Sequence, residues 1–456
     1  MRIYLAVTFW GEEYRRYFLD FCLASLLAPG NIPAITDKTA ARLLIATNDR
    51  DWAALQSEPT FVAAQKLISI EQVPFDNAAY STAHEKMLVM SEAHRRLARR
   101  MFDDRAHGIF IYPDMIAATG FIGKLEELAR NGAAVVMFMN VRFANEGLIN
   151  EVKRRGLVRP GEPMAMSSKE LVRLTLRHMH SEMIRSGFEN DCEHYGSSSY
   201  FWPVVPCEDL LFHCGCWIPS LIDYGCIDQH DDSTFESCTL DGDYVAKNLA
   251  NSRNIHFVRD TTELFMISFT PETTVHYSLA RRLSFRIPIF RTALKVREAH
   301  SFLYHQAPMD RLIREQFRLP VRLCGGTASQ FQWREVECRA AGIVARIEQG
   351  GNLWDRIIHS SYLRCHGWPL LWHGSPALYS GSPFRYQLRR CVRLGRELWT
   401  HRGTIALRIN QILRGDRVAR RRVAWRFRQA AGDIICGRPP REPEPLSYYS
   451  WPAEQS

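Results

Sequence analysis

Along the first 150 residues, short near-continuous apolar runs alternate with longer stretches in which apolar residues recur every three or four positions. The runs predict strands at 3–8, 42–47, 66–73, 108–112 and 133–140, each apolar enough to be covered on both faces. Helical spacing predicts helices over 14–27, stopped by Ala28-Pro29-Gly30, and over 121–130, stopped by Asn131-Gly132. A third, over 81–101, carries Met87, Met90, His94 and Leu97 at helical spacing. Such alternation predicts an α/β unit built on a mainly parallel sheet flanked by helices.

A further helix is expected over 168–184, capped by Ser167 or Ser168 with Glu170 nearby. Residues 191–243 are rich in Ser, Cys, His and Trp without regular period, and read as a long functional loop. Strand character returns at 255–258 and 264–268, and the main boundary is placed near 271–279. The expected organisation is a catalytic domain over 1–280, a mixed helical and loop region over 281–382, an Arg-rich helical region over 383–438 and a flexible tail over 439–456. The tail opens on Pro439-Pro440-Arg441-Glu442-Pro443, which has no reason to fold.

At 456 residues, 46% hydrophobic and 23% charged, the chain can bury a large core. The best apolar run, 132–141, falls far short of the roughly 20 residues a membrane span needs. The first strand leads directly into Glu12-Glu13-Tyr14-Arg15-Arg16 without the apolar segment of a secretion signal, so a cytoplasmic location is expected. Its 12 cysteines then read as reduced thiols. A net charge of +9 is compatible with an anionic partner, and positive charge gathers late, between Arg385 and Arg428. There Leu388, Cys391, Leu394 and Leu398 recur at helical spacing, which suits a solvated face or the surface of an anionic membrane better than nucleic acid. Trp399, Trp425 and Phe427 would anchor such a segment at a headgroup boundary.

No Walker sequence is present and no Gly-x-Gly-x-x-Gly follows the first strand, which argues against a dinucleotide oxidoreductase. Instead, polar residues end the predicted strands: Thr8 the first, Thr47-Asn48-Asp49 the second, Asp114 the fourth. In open α/β sheets ligands bind outside the carboxyl ends of the strands, so these residues share one rim. Tyr112-Pro113-Asp114 places an acid where a divalent ion bridging a diphosphate would sit, and Mg²⁺ or Mn²⁺ favours such oxygen ligands. Leu240-Asp241-Gly242-Asp243-Tyr244 sets two acids about a glycine, as base and orienter or as a helix cap. His213 closes the apolar run Leu210-Leu211-Phe212 and reads as a metal ligand, a phosphate contact or a core histidine. A zinc site among Cys192, His194, Cys207, His213, Cys214, Cys216, Cys226, His230 and Cys238 is disfavoured, because neither Cys-x-x-Cys nor His-x-x-x-His occurs.

Taken in order, Thr8, Leu27-Ala28-Pro29-Gly30, Thr47-Asn48-Asp49, Tyr112-Pro113-Asp114, Phe212-His213 and Leu240-Asp241-Gly242-Asp243-Tyr244 resemble bacterial glycosyltransferases of the GT-A type, over about residues 1–270. The resemblance implies a GT-A-like, Rossmann-like sheet, a nucleotide-diphospho-sugar donor, a divalent metal, and transfer of the sugar to an acceptor hydroxyl, on a glycan or a lipid carrier at the inner face of the membrane. By position, Thr8 and Trp10 would face the nucleotide, Asp49 its base or ribose, and Asp114 the metal and diphosphate. The family's usual Asp-X-Asp is here Tyr112-Pro113-Asp114, keeping only the last acid. His84 and Lys86, at the start of the helix over 81–101, are placed to contact the diphosphate, and Asp241 or Asp243 to act as base. The rival readings are a non-catalytic nucleotide- or carbohydrate-binding scaffold and another nucleotide-dependent α/β transferase, such as a methyltransferase.

Overall fold

A computed structural model describes residues 1–75, 80, 83–139, 141–189, 199–215, 217–249, 254–273, 288–306 and 311–366. Its strands are β1 (Ile3–Thr8), β2 (Arg42–Thr47), β3 (Ser69–Pro74), β4 (His107–Phe110), β5 (Met115–Ala117), β6 (Val135–Met139) and β7 (Arg142–Ala144). After these come β8 (Ser199–Val205), β9 (Asp209–Cys214), β10 (Trp217–Asp223), β11 (Ile255–Phe257), β12 (Met266–Thr270) and β13 (Pro320–Cys324).

Seven strands form the main sheet in the order β11-β6-β10-β4-β1-β2-β3. All of its pairings are parallel except those of β10, which runs antiparallel to β4 and β6. The α/β fold expected from the sequence is the one observed. β1, fully buried along its length, carries Ile3, Leu5 and Val7 into one continuous core with Leu44, Ile109, Val136 and Ile222. Helices cover the sheet, among them Ala83–Asp103 and Phe121–Arg130. Because β1 lies between β2 and β4, chain order reverses there, and the reversal opens a crevice at the strands' carboxyl ends.

Two three-stranded sheets complete this unit: β5-β12-β7, which bears on the crevice, and β13-β9-β8. In the latter, Tyr200, Trp202 and Leu211 form a second core with Val296 of helix Pro288–Ser301 and with Trp333, Ala340 and Ile347 of helix Gln330–Glu348. The described residues of 288–355 belong to one compact unit with those before 274, and β13 pairs β9 from Pro320↔His213 to Cys324↔Asp209.

Three local expectations change. The stretch 191–243 holds β8, β9 and β10 rather than a long loop. Pro203 and Pro219 disguise the pattern, and both sit where the ladder register shifts, the position at which a strand tolerates proline. The helix expected over 168–184 stops at Leu176: Met179 forms a bridge with Phe143, and His180 caps a new helix, Ser181–Arg185, by accepting from Glu182 N–H at 3.2 Å. The helix expected over 14–27 runs as Glu12–Tyr17 followed by a π-wound segment, Phe18–Leu23, and Ala24–Leu26. No described helix is long and apolar enough to cross a membrane.

Candidate functional site

The rim begins where β1 ends. Thr8 is buried and its hydroxyl donates to the Ala46 carbonyl at 3.2 Å, so this polar strand end serves the sheet. Two residues later Trp10 donates from Nε1 to the Tyr80 hydroxyl at 3.3 Å and packs 5.9 Å from the Phe75 ring, forming an aromatic wall. Gly11, at φ +85°, turns the chain into helix Glu12–Tyr17, a backbone that other side chains rarely adopt.

Asp51 fixes that turn. Its carboxylate accepts from Gly11 N–H at 2.8 Å, from Arg15 at 2.6 Å and from Asn48 Nδ2 at 3.0 Å, while Asn48 Oδ1 caps helix Asp49–Leu55 by accepting from Asp51 N–H at 2.8 Å. Asp51 is 3% exposed. Asp49, singled out by the sequence, is exposed and accepts from Gln72 Nε2 at 3.0 Å. The acid that shapes the rim is thus Asp51, and strand-end position alone does not single it out. The available signal is the spacing of Asn48 and Asp51, a capping residue with an acid three positions on.

Deeper in the crevice, Asp114 follows the end of β4. Its backbone carbonyl accepts from Phe269 N–H at 3.0 Å, which pins the turn to β12. In that register Ser268 faces Met115 on one side and Arg142 on the other, so β12 alone separates Arg142 from the residue after Asp114. Lys86, near the start of helix Ala83–Asp103, holds its nitrogen 4.8 Å from the centre of the Tyr14 ring. Burial pushes the Asp114 carboxyl up to about 6, against the downward pull of its own backbone N–H, Arg142 and Lys86. Part of the residue's surface stays open while its surroundings are as crowded as an interior, the situation at the floor of a concave site. Tyr112 and Tyr14 line the same floor, and burial raises both phenols, with Asp114 adding to the rise and Lys86 opposing it at Tyr14.

Asp241 bears on Tyr112 electrostatically and so joins the cluster's edge. Its carboxylate accepts from Cys238 Sγ at 3.0 Å and from Asp243 N–H at 3.0 Å, which caps helix Gly242–Leu249. Burial, then Asp241, push the Cys238 thiol up to about 12, so the thiol stays protonated and donates. The Asp241 carboxyl is itself raised by burial. Asp243 is exposed. Nearby, buried His94 accepts from Leu240 N–H through Nδ1 at 3.4 Å, and burial holds its imidazole down to about 4, hence neutral. This contact ties the 238–241 turn to helix Ala83–Asp103. His84 lies in that helix's first turn, and its side chain is outside the described residues.

His213 stands elsewhere. On β9, it donates from Nδ1 to the Phe317 carbonyl at 2.9 Å and lines a cavity of about 540 Å³ with Arg259, Arg318 and Arg322. Asp114 is on a different sheet's edge, and the structure does not bring the two metal candidates together. Among the described residues no three His, Cys, Asp or Glu side chains are grouped to hold a metal, and the cysteines whose side chains are described form no disulfide. Cys192, His194 and Cys216 lie outside the described residues, as does the Arg-rich segment over 385–428.

No family model matches the chain, and no curated protein matches it in sequence. Among solved structures it is similar to a protein described as a putative glucose-1-phosphate thymidylyltransferase from Bacillus anthracis in complex with sucrose (11% identity, TM-score 0.19, covering 32% of this chain and 57% of that one). It is also similar to mouse xyloside xylosyltransferase 1 in its apo form (11% identity, TM-score 0.23, covering 37% of this chain and 63% of that one). The chain thus spans less than two thirds of either neighbour's length, and similarity at this level carries no argument about chemistry.

Proposed function

We propose that this unit binds a nucleotide-diphospho-sugar in the crevice between β1 and β4 and transfers the sugar to an acceptor hydroxyl. The observation that supports this most is the floor of the crevice: a crowded carboxyl, Asp114, flanked by two cations and two phenols at the point where strand order reverses. Trp10 and Tyr80, backed by buried Phe75, offer aromatic surface for a nucleoside, and exposed Asp49 just past the end of β2 offers an acceptor for ribose hydroxyls.

In the reaction the acceptor oxygen bonds to the anomeric carbon as that carbon's bond to the diphosphate breaks. The electron pair leaves on the diphosphate and the acceptor proton passes to a carboxylate. Of the two acids about Gly242, Asp241 suits this role better, because it bears on Tyr112 electrostatically while Asp243 stands in solvent, and burial raises its pKa, which favours taking up a proton. Turnover of one sugar nucleotide, read as release of its nucleoside diphosphate, tests the proposal. A scaffold would bind without release, and a methyltransferase would bind neither donor nor product.

The arginines over 385–428, with Trp399, Trp425 and Phe427, support reversible attachment to an anionic membrane face, where a lipid-linked acceptor would be met. Sedimentation with anionic liposomes, comparing the full chain with one truncated before Pro383, tests this. Equal pelleting of both would leave the arginines without that role.

A further inference from the structure

The resembled family usually neutralises the donor diphosphate with a divalent ion, and the residues at Asp114 do not fit one. Mg²⁺ and Mn²⁺ need several hard oxygen ligands. Here the position two before Asp114 is Tyr112, whose phenol burial keeps protonated, and Asp241 sits at the cluster's edge, tied to Cys238 and to Asp243 N–H, without a third acid or imidazole beside it among the described residues. Asp51 is fully engaged with Gly11, Arg15 and Asn48, and His213 lies on another sheet. Among the described candidates Asp114 remains, and the charges that bear on its carboxyl, Arg142 and Lys86, are positive and oppose a dication there.

We propose, building on the donor-binding reading above, that Lys86 and Arg142 themselves carry the negative charge of the diphosphate, and that Asp114 is the positioning residue which draws them to the floor of the crevice. The two cations approach from different elements: Lys86 from helix Ala83–Asp103, steadied over the Tyr14 ring, and Arg142 from β7, braced from behind by Glu182 at 3.1 Å. Both bear on the Asp114 carboxyl, one as a point charge and the other as a planar, forked donor. Both are in place before the ligand arrives, so they stabilise the charge that grows on the leaving diphosphate without reorganisation. A chain built this way binds its nucleotide without metal.

Calorimetric titration of the full chain with UDP, GDP, dTDP, CDP and ADP, each in excess EDTA and in excess Mn²⁺, tests this. The nucleotide that binds is expected to do so in EDTA within about twofold of its affinity in Mn²⁺. Loss of one charge-assisted contact weakens binding roughly tenfold or more, the effect expected in EDTA for Lys86→Met, with Lys86→Arg recovering most of it. Arg142→Gln is expected to act alike, and because its pairing with Glu182 is also lost, the Lys86 variants carry the decision if it fails to fold. Binding that vanishes in EDTA and returns with Mn²⁺ overturns the inference and leaves the donor-binding reading standing, as does unchanged affinity in Lys86→Met. No binding by any nucleotide in either condition overturns the donor-binding reading, and this inference with it.

Discussion

Replacing Asp114 with asparagine should make the protein more stable and less active, and the size of the first effect follows from the carboxyl's surroundings. An aspartate has an ordinary pKa of 3.8, and in the folded chain burial pushes that of Asp114 up to about 6. The folded state therefore binds this proton more tightly than the unfolded one, so the group favours folding at low pH and loses that advantage as pH rises through 6. A shift of about two units corresponds to roughly 3 kcal/mol, and partial contact with solvent trims the cost of the ionised form at pH 8 to about 2 kcal/mol. An asparagine side chain at this position is a neutral copy of the protonated acid. Thermal melts of D114N and the native chain should coincide at pH 4 and separate by roughly 4 °C in favour of the variant at pH 8. Turnover should fall at least about tenfold, since a charged hydrogen-bonding group has left the floor of the site. A variant less stable than the native chain at pH 8, or one with the same difference at both pH values, would show that Asp114 is a structural acid and refute the reasoning.

Other perturbations have equally definite outcomes. Asp51→Ala leaves Arg15 and Gly11 N–H unpaired beneath the rim and should cost about 3–5 kcal/mol by chemical denaturation, with Asp51→Asn costing less because it keeps an acceptor. His94, held down to about 4, must take up a proton on unfolding below its ordinary 6.5, so the chain should lose roughly 3 kcal/mol of stability between pH 6.5 and pH 4 from this group alone, and His94→Gln should flatten that part of the pH profile. Gly30→Ala forces a side chain at φ +80° to within 2.8 Å of the Gly120 Cα and should lower the melting temperature by several degrees, whereas Gly132→Ala, with open space around it, should cost only the strain of its φ.

The inner sheet is legible in the sequence because nothing in its strands does anything but pack: β1, β2 and helix Phe121–Arg130 have the limits their apolar patterns suggest. Strands β8 to β10 are hidden because two prolines and a run of Cys, His and Trp break the alternation, although all three pair within sheets and are largely buried. At the site the sequence points to the strand ends and to Lys86 and Asp114, which do lie together. It does not point to Tyr14 and Arg142, since Tyr14 and Asp114 stand 100 positions apart in the chain and only the pairing of β1 with β4 makes them neighbours. Thr8 and Asn48 show the opposite case, polar residues at the right place whose hydrogen bonds go to the sheet and to a helix end. Position along a strand indicates which residues share a rim, while only the partners of each polar atom tell which of them are committed elsewhere.

The central claim is donor turnover at Asp114, and it is tested most directly by incubating the full chain with a panel of sugar nucleotides and following nucleoside diphosphate release in the native chain and in D114N, both shown folded by their melts. One sugar nucleotide should release its nucleoside diphosphate with the native chain, at least about tenfold faster than with the variant. Release from none of the panel, or release at equal rates by both proteins, would contradict the account.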